Sequence, residues 1–155
     1  MKKILVFLLL VIGMATAVGA QEYDIRMAGQ GDGGRYYVKI TTILNKEQNK
    51  AAYDWLRRLA VEGDLFRGVA GANGYPAQKA IVADVTAKSR KAEFFDAFFR
   101  EQQYNNFVAL ETESVVVTKL PKKRFEVMGR LLVDKEALIH LMEESGVVQG
   151  MGNLW

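Results

Sequence analysis

Chemistry needs nucleophiles, acid–base groups or metal ligands at workable spacing, and few residues here offer it. His140 is the only histidine. On a helix, Glu136, Glu143 and Glu144 stand near it at i−4, i+3 and i+4, which could make a weak acidic site. A base or a metal centre needs partners that a lone imidazole does not have, so His140 is read as a partly exposed structural residue. Glu111 and Glu113 alternate along an extended segment, as paired acids do in glycoside hydrolysis, yet they read more simply as solvent-facing strand residues. Ser89, Ser114 and Ser145 are the only serines, and none sits in a Gly-x-Ser-x-Gly elbow. No catalytic residue, metal ligand or cofactor is assigned.

Two glycine-rich runs remain. Gly29–Gly34 has the look of a phosphate loop, but it precedes a strand instead of opening a helix, and no Lys-Ser/Thr pair follows. It reads as a turn or a flexible entry. The run Phe66-Arg67-Gly68-Val69-Ala70-Gly71-Ala72-Asn73-Gly74-Tyr75-Pro76 is the more suggestive one. Its glycines permit left-handed backbone or close approach, and its side chains offer a charge, an amide and a ring. Arg67, Gly68, Gly71, Asn73, Gly74 and Tyr75 are therefore the candidate ligand- or partner-binding residues, against the simpler reading of a compact surface loop. Replacing Arg67, Asn73 and Tyr75 together with Ala is expected to weaken partner capture without unfolding the chain. Lys122-Lys123-Arg124 could touch anionic lipid or glycan, although three charges at a hairpin tip are ordinarily solubilising. Leu154-Trp155 is like the aromatic end of an outer-membrane barrel, but the many alternating strands of a barrel are missing.

The elements that must position these residues follow from periodicity. Tyr36, Val38, Ile40, Thr42 and Leu44 alternate with Tyr37, Lys39, Thr41 and Ile43, which is a strand. A further strand at Tyr23–Ala28 is conceivable within a lead-in of residues 21–34 that is otherwise expected to be flexible. Asn45 with Gln48 makes a capping box, and Ala51, Ala52, Trp55, Leu56, Leu59 and Ala60 recur at helical spacing until Gly63. Thr86 or Ser89 could cap a second helix, Arg90 to about Tyr104, with Ala92, Phe95, Phe98 and Phe99 inward and Asn105-Asn106 at its end. Phe107–Leu110, Ser114–Leu120 and Phe125–Val133 read as extended, the last two joined by a turn at Pro121–Arg124. Asp134 caps a last helix carrying Ala137, Leu138, Leu141 and Met142, closed by Gly146. The fold class expected is α+β: a two-layer sandwich in which a small, mostly antiparallel sheet carries about three helices on one face, in a single domain over 35–155.

The start reads as an export signal: Met1-Lys2-Lys3, an apolar run from Ile4 to Ile12, then small residues to Ala20, with cleavage expected between Ala20 and Gln21. An uncleaved anchor is the competing reading, since a spanning helix needs roughly 20 apolar residues. The chain has no cysteine, which excludes disulfides, thiolate zinc sites and lipidation at a new N-terminal cysteine. Lys2 and Lys3 would leave with the signal, bringing 21 basic and 18 acidic side chains close to balance. That argues against a nucleic-acid partner. The location expected is periplasmic or secreted, with no integral membrane segment after cleavage.

The Phe66-x-Gly68-x-x-Gly71-x-x-Gly74 loop, Gln78-Lys79, the run Ala92–Phe99 and the ending from Leu132-Val133-Asp134 to Gly146-Val147 together resemble a family of secreted bacterial envelope proteins without an assigned activity. Its members are expected beside genes for small envelope α/β proteins of the LPP20 and CsgG/LpoB-like type. The resemblance implies an envelope location and no catalytic residue. The function expected is a non-enzymatic binding or assembly module of the bacterial cell envelope, contacting an envelope protein or glycan. Its rivals are a hydrolase of an envelope polymer, using Glu111, Glu113 or His140, and a carrier of lipid or another small molecule, which would need an apolar cavity.

Overall fold

The computed structural model describes residues 22–149. The expected signal, its expected cleavage point and residues 150–155 lie outside the described residues. Four antiparallel strands form one sheet in the order β1-β2-β4-β3: β1 Tyr23–Gln30, β2 Arg35–Asn45, β3 Val108–Leu120 and β4 Arg124–Asp134. β2 and β4 lie at the centre in unbroken register from Arg35↔Asp134 to Asn45↔Arg124. The helical segments are α1 Lys46–Asn49, α2 Ala52–Phe66, α3 Ala87–Arg90, α4 Ala92–Arg100 and α5 Lys135–Glu144, with a 3₁₀ turn at Gln103–Phe107. The fold is the expected α+β one, with helices packed on the sheet. Strand alternation makes the interface: Val38, Ile40 and Leu44 of β2 and Val127, Leu131 and Val133 of β4 have no exposed surface. Against them pack Leu56, Leu59 and Leu65 of α2, Phe98 of α4, and Leu138 and Met142 of α5, all fully buried.

Several boundaries differ from the sequence reading. The described part of the expected lead-in over 21–34 is mostly strand, not flexible chain: β1 buries Tyr23, Ile25 and Met27 and pairs with β2. Glycines and charges mask the alternation in that segment. The register of β1 shifts between Met27 and Gly29, where Ala28 is the extra residue of a bulge. The Asn45/Gln48 capping box is present, with Asn45 Oδ1 accepting from the Gln48 amide at 2.8 Å, but it opens only the single turn α1. The chain breaks at Ala51 before α2 begins. Gly63 does not stop α2, which runs on to Phe66. The glycine is there for close packing: a Cβ would stand 2.9 Å from Ile25 Cδ1 and 3.3 Å from the Tyr23 ring. The second helix ends at Arg100, and Asn105-Asn106 lie inside the 3₁₀ turn. Thr86 makes no side-chain cap; Asp84 Oδ1 instead accepts from the Thr86 amide and hydroxyl. The two extended pieces after Phe107 are one strand, β3, interrupted where Thr112–Val115 stand opposite Gly129 alone. Asp134 caps α5 as expected, its Oδ1 accepting from the Ala137 amide at 3.0 Å.

Candidate functional site

The glycine-rich run folds into a small arm laid on the outer edge of β1. Val69 and Gln78 exchange both backbone hydrogen bonds, at 2.8 and 2.9 Å, and Ala72 and Tyr75 close the tip. Asn73 and Gly74 both have positive φ, 54° and 81°, as the two central residues of a type I′ turn require. The arm joins the sheet in parallel fashion: Met27 N donates to Ala70 O at 2.9 Å and Ala70 N to Ile25 O at 3.1 Å. Gly68 makes this possible. Its φ is +79°, and a Cβ would meet the Gln78 carbonyl oxygen at 2.6 Å. The arm thereby covers backbone groups that an edge strand would otherwise expose.

The six candidate residues divide within this arm. Arg67 and Gly68 sit at its root and line open clefts. Arg67 is also a clamp, its Nη1 donating to Tyr23 O at 3.1 Å while the guanidinium stacks 4.2 Å from the Tyr23 ring centroid. Asn73 Nδ2 reaches back to Met27 O at 3.4 Å. Gly71 is squeezed by Ala77 N and Tyr75 O, each 3.0 Å from where a Cβ would stand, so it serves the arm's own turn. Gly74 and Tyr75 are exposed at the tip.

The larger cleft, about 970 Å³, lies beside the root of the arm. Glu22 just before β1 lines it with Tyr23 and Asp24 at the start of that strand, the end of β2 gives Thr41, Thr42 and Ile43, and the helices give Glu62 and Lys88. Arg67 and, from β4, Arg124 and Glu126 complete the wall. Cations and carboxylates thus face one groove. A smaller cleft of about 430 Å³ adjoins it through the shared residues Glu62 and Lys88, and brings in Arg58, Phe95 and Phe99.

A second group of polar residues is internal. Asp64, on the last turn of α2, has no exposed surface. The Tyr36 hydroxyl of β2 donates to its Oδ1, and Lys135 Nζ at the start of α5 stands 3.8 Å from the same oxygen. Lys135 also donates to Lys79 O at 2.9 Å and to Gln78 Oε1 at 3.4 Å. Asp64 Oδ2 has no hydrogen-bond partner among the described residues. Burial pushes the Asp64 carboxyl up to about 6, opposed by the Tyr36 hydrogen bond and the Lys135 charge. Burial, with the Asp64 carboxylate beside it, drives the Tyr36 phenol well above its usual range, so it stays protonated. The three side chains pin α2, β2, α5 and the returning arm together. Sequence reading missed Asp64 because it ended the helix at Gly63. The available signal was its place four residues after Ala60 and eight after Leu56, on the buried stripe.

The groups considered for catalysis do not meet. Glu111 pairs with Arg130 Nη1 at 2.8 Å, and Arg130 stacks 3.8 Å from the Tyr37 ring on the sheet face turned away from the helices. His140 is exposed on α5, whose Leu138 and Met142 pack on the opposite face. Glu113 is exposed within the β3 irregularity. Gly29–Gly34 ends β1 and turns into β2, with no helix to receive an anion. Among the described residues no cluster of three or more His, Asp or Glu could hold a metal ion, and no helix is long and apolar enough to cross a membrane. Compared with known families, curated proteins and solved structures, the chain matches none.

Proposed function

We propose that this chain is an exported, non-enzymatic binding or assembly module of the bacterial cell envelope, and that its partner seats in the groove beside the arm. The groove carries the reading: about 970 Å³ of open cleft, walled by Arg67, Lys88 and Arg124 against Glu22, Asp24, Glu62 and Glu126. Charges of both signs, with Thr41 between them, suit an extended protein segment that itself bears both signs and presents its backbone. The groove is walled mainly by strands and helices, with Arg67 held on Tyr23, so it is formed before the partner arrives and needs little ordering to bind. The separation of Glu111 from His140 across the sheet supports a binding role over hydrolysis.

The test is in-cell cross-linking of the tagged chain, with mass spectrometry of what is retained and fractionation to locate it. A recurrent envelope protein should be recovered with the native chain and lost with Lys88→Glu plus Arg124→Glu, both exposed positions. Recovery that survives that pair removes the groove from the proposal. Recovery of glycan in place of protein changes the partner class. Retention in the cytoplasm at full length removes the export reading. Asn73→Ala with Tyr75→Ala tests whether the contact extends to the arm's tip.

A further inference from the structure

The two edges of the sheet are finished differently. The β1 edge is covered by the arm through the Met27–Ala70 and Ala70–Ile25 hydrogen bonds. The outer edge of β3 is paired with nothing among the described residues. An uncovered strand edge is a template for another strand. β3 is 13 residues long, and its second half carries Val115-Val116-Val117-Thr118, with Val116 49 % and Val117 47 % exposed. These are the β-branched residues that favour pairing, not the prolines or inward charges that discourage it.

We propose that β3 pairs with β3 of a second copy, antiparallel about a two-fold axis through Val116, to make one continuous sheet across both chains. The sequence of the edge selects this occupant and this register. Centred on Val116, the pairing sets Glu113 opposite Lys119 of the second copy, and Lys119 opposite its Glu113. Val115 meets Val117, and Val116 meets itself. Around the axis valine faces valine and the flanking charges are opposite in sign, so the contact is self-complementary, as a two-fold interface must be. Moving the centre one residue on, to Val117, sets Lys119 against Val115 and loses both charge pairs. The irregularity at Thr112–Val115 does not leave the edge loose. Ser114 Oγ accepts from Arg130 N at 2.8 Å and donates to Glu111 O at 2.6 Å, so the extra residues are tied to β4.

The experiment is sedimentation of the purified chain over a concentration series, expected to show a monomer–dimer equilibrium. Glu113→Lys or Lys119→Glu alone converts two attractions into two repulsions, and should raise the dissociation constant about tenfold. The double exchange restores opposite charges and should return it to within about threefold of the native chain. Glu113 and Lys119 are exposed, so these variants keep the fold. The chain has no cysteine, so Val116→Cys introduces a single thiol. On the axis it should oxidise to a disulfide-linked dimer much faster than Val85→Cys, a position 88 % exposed in a turn outside the sheet. A monomer at every concentration, a dimer indifferent to the single substitutions, a double exchange that fails to restore it, or equal cross-linking of the two thiols would each overturn the proposal.

Discussion

Asp64 occupies a place where helical spacing calls for an apolar side chain, and its surroundings decide its charge. Burial raises its pKa from 3.8 to about 6, against the pull of the Tyr36 hydrogen bond and Lys135. An acid whose pKa is higher folded than unfolded holds its proton more tightly in the folded state. Its stabilisation is therefore complete below about pH 4 and is lost as pH rises through about 6. The native chain should lose about 3 kcal/mol across that window relative to Asp64→Asn, in which this titration is gone. Urea unfolding of both chains between pH 4 and 7.5 measures it, and the difference between the two curves removes what all other carboxylates contribute. If the curves run parallel, Lys135 offsets the burial and Asp64 is ionised throughout. The role of Asp64 was partly legible: its spacing on the buried stripe is in the sequence, but its partners Tyr36 and Lys135 are brought to it only by the fold.

At the scale of elements, local signals were readable and distant approaches were not. The Asn45/Gln48 box, the Asp134 cap, the alternation of β2 and the Pro121–Arg124 turn each involve residues a few positions apart, and each is present. Gly63 was misread because its reason lies in β1, far back in the chain. The arm shows both cases at once. Asn73-Gly74 is the favoured pair for a type I′ turn, a signal carried by two adjacent residues, although the sequence reading has them only as candidate binding residues. Gly68 reads only as a glycine until the Gln78 carbonyl is seen against it. The two glycines should answer differently to alanine. Gly74→Ala meets open space, and only its positive φ costs, about 1–2 kcal/mol. Gly68→Ala adds a backbone collision to that cost and should lift the arm from β1. Hydrogen exchange of the Met27 and Ala70 amides reads this directly: faster in Gly68→Ala, near native in Gly74→Ala. Equal protection in both would mean that the arm is held from its tip.

The described residues make two layers, and what matters most about them comes from their meeting. The groove takes Glu22, Thr41, Glu62, Lys88 and Arg124 from five separate elements and connections, so no spacing along the chain could have marked it. The same holds at the middle of the layer contact, where Gly129 of β4 lies under Leu56 of α2. A Cβ on Gly129 would stand 2.8 Å from Leu56 Cδ1 and 3.3 Å from Leu110 Cδ1. Gly129→Ala should therefore cost about 1–3 kcal/mol by overpacking. Leu56→Ala, emptying a fully buried site, should cost about 2–5 kcal/mol. Together they should cost less than their sum by about 1 kcal/mol or more, because the alanine methyl on β4 moves into space that the leucine has left. Leu110 Cδ1, 3.3 Å away, still crowds that methyl, so the relief is partial. Urea unfolding of the four chains gives the coupling. Strict additivity would mean that α2 does not press on β4 at this point, and that the helix layer sits in a different register on the sheet.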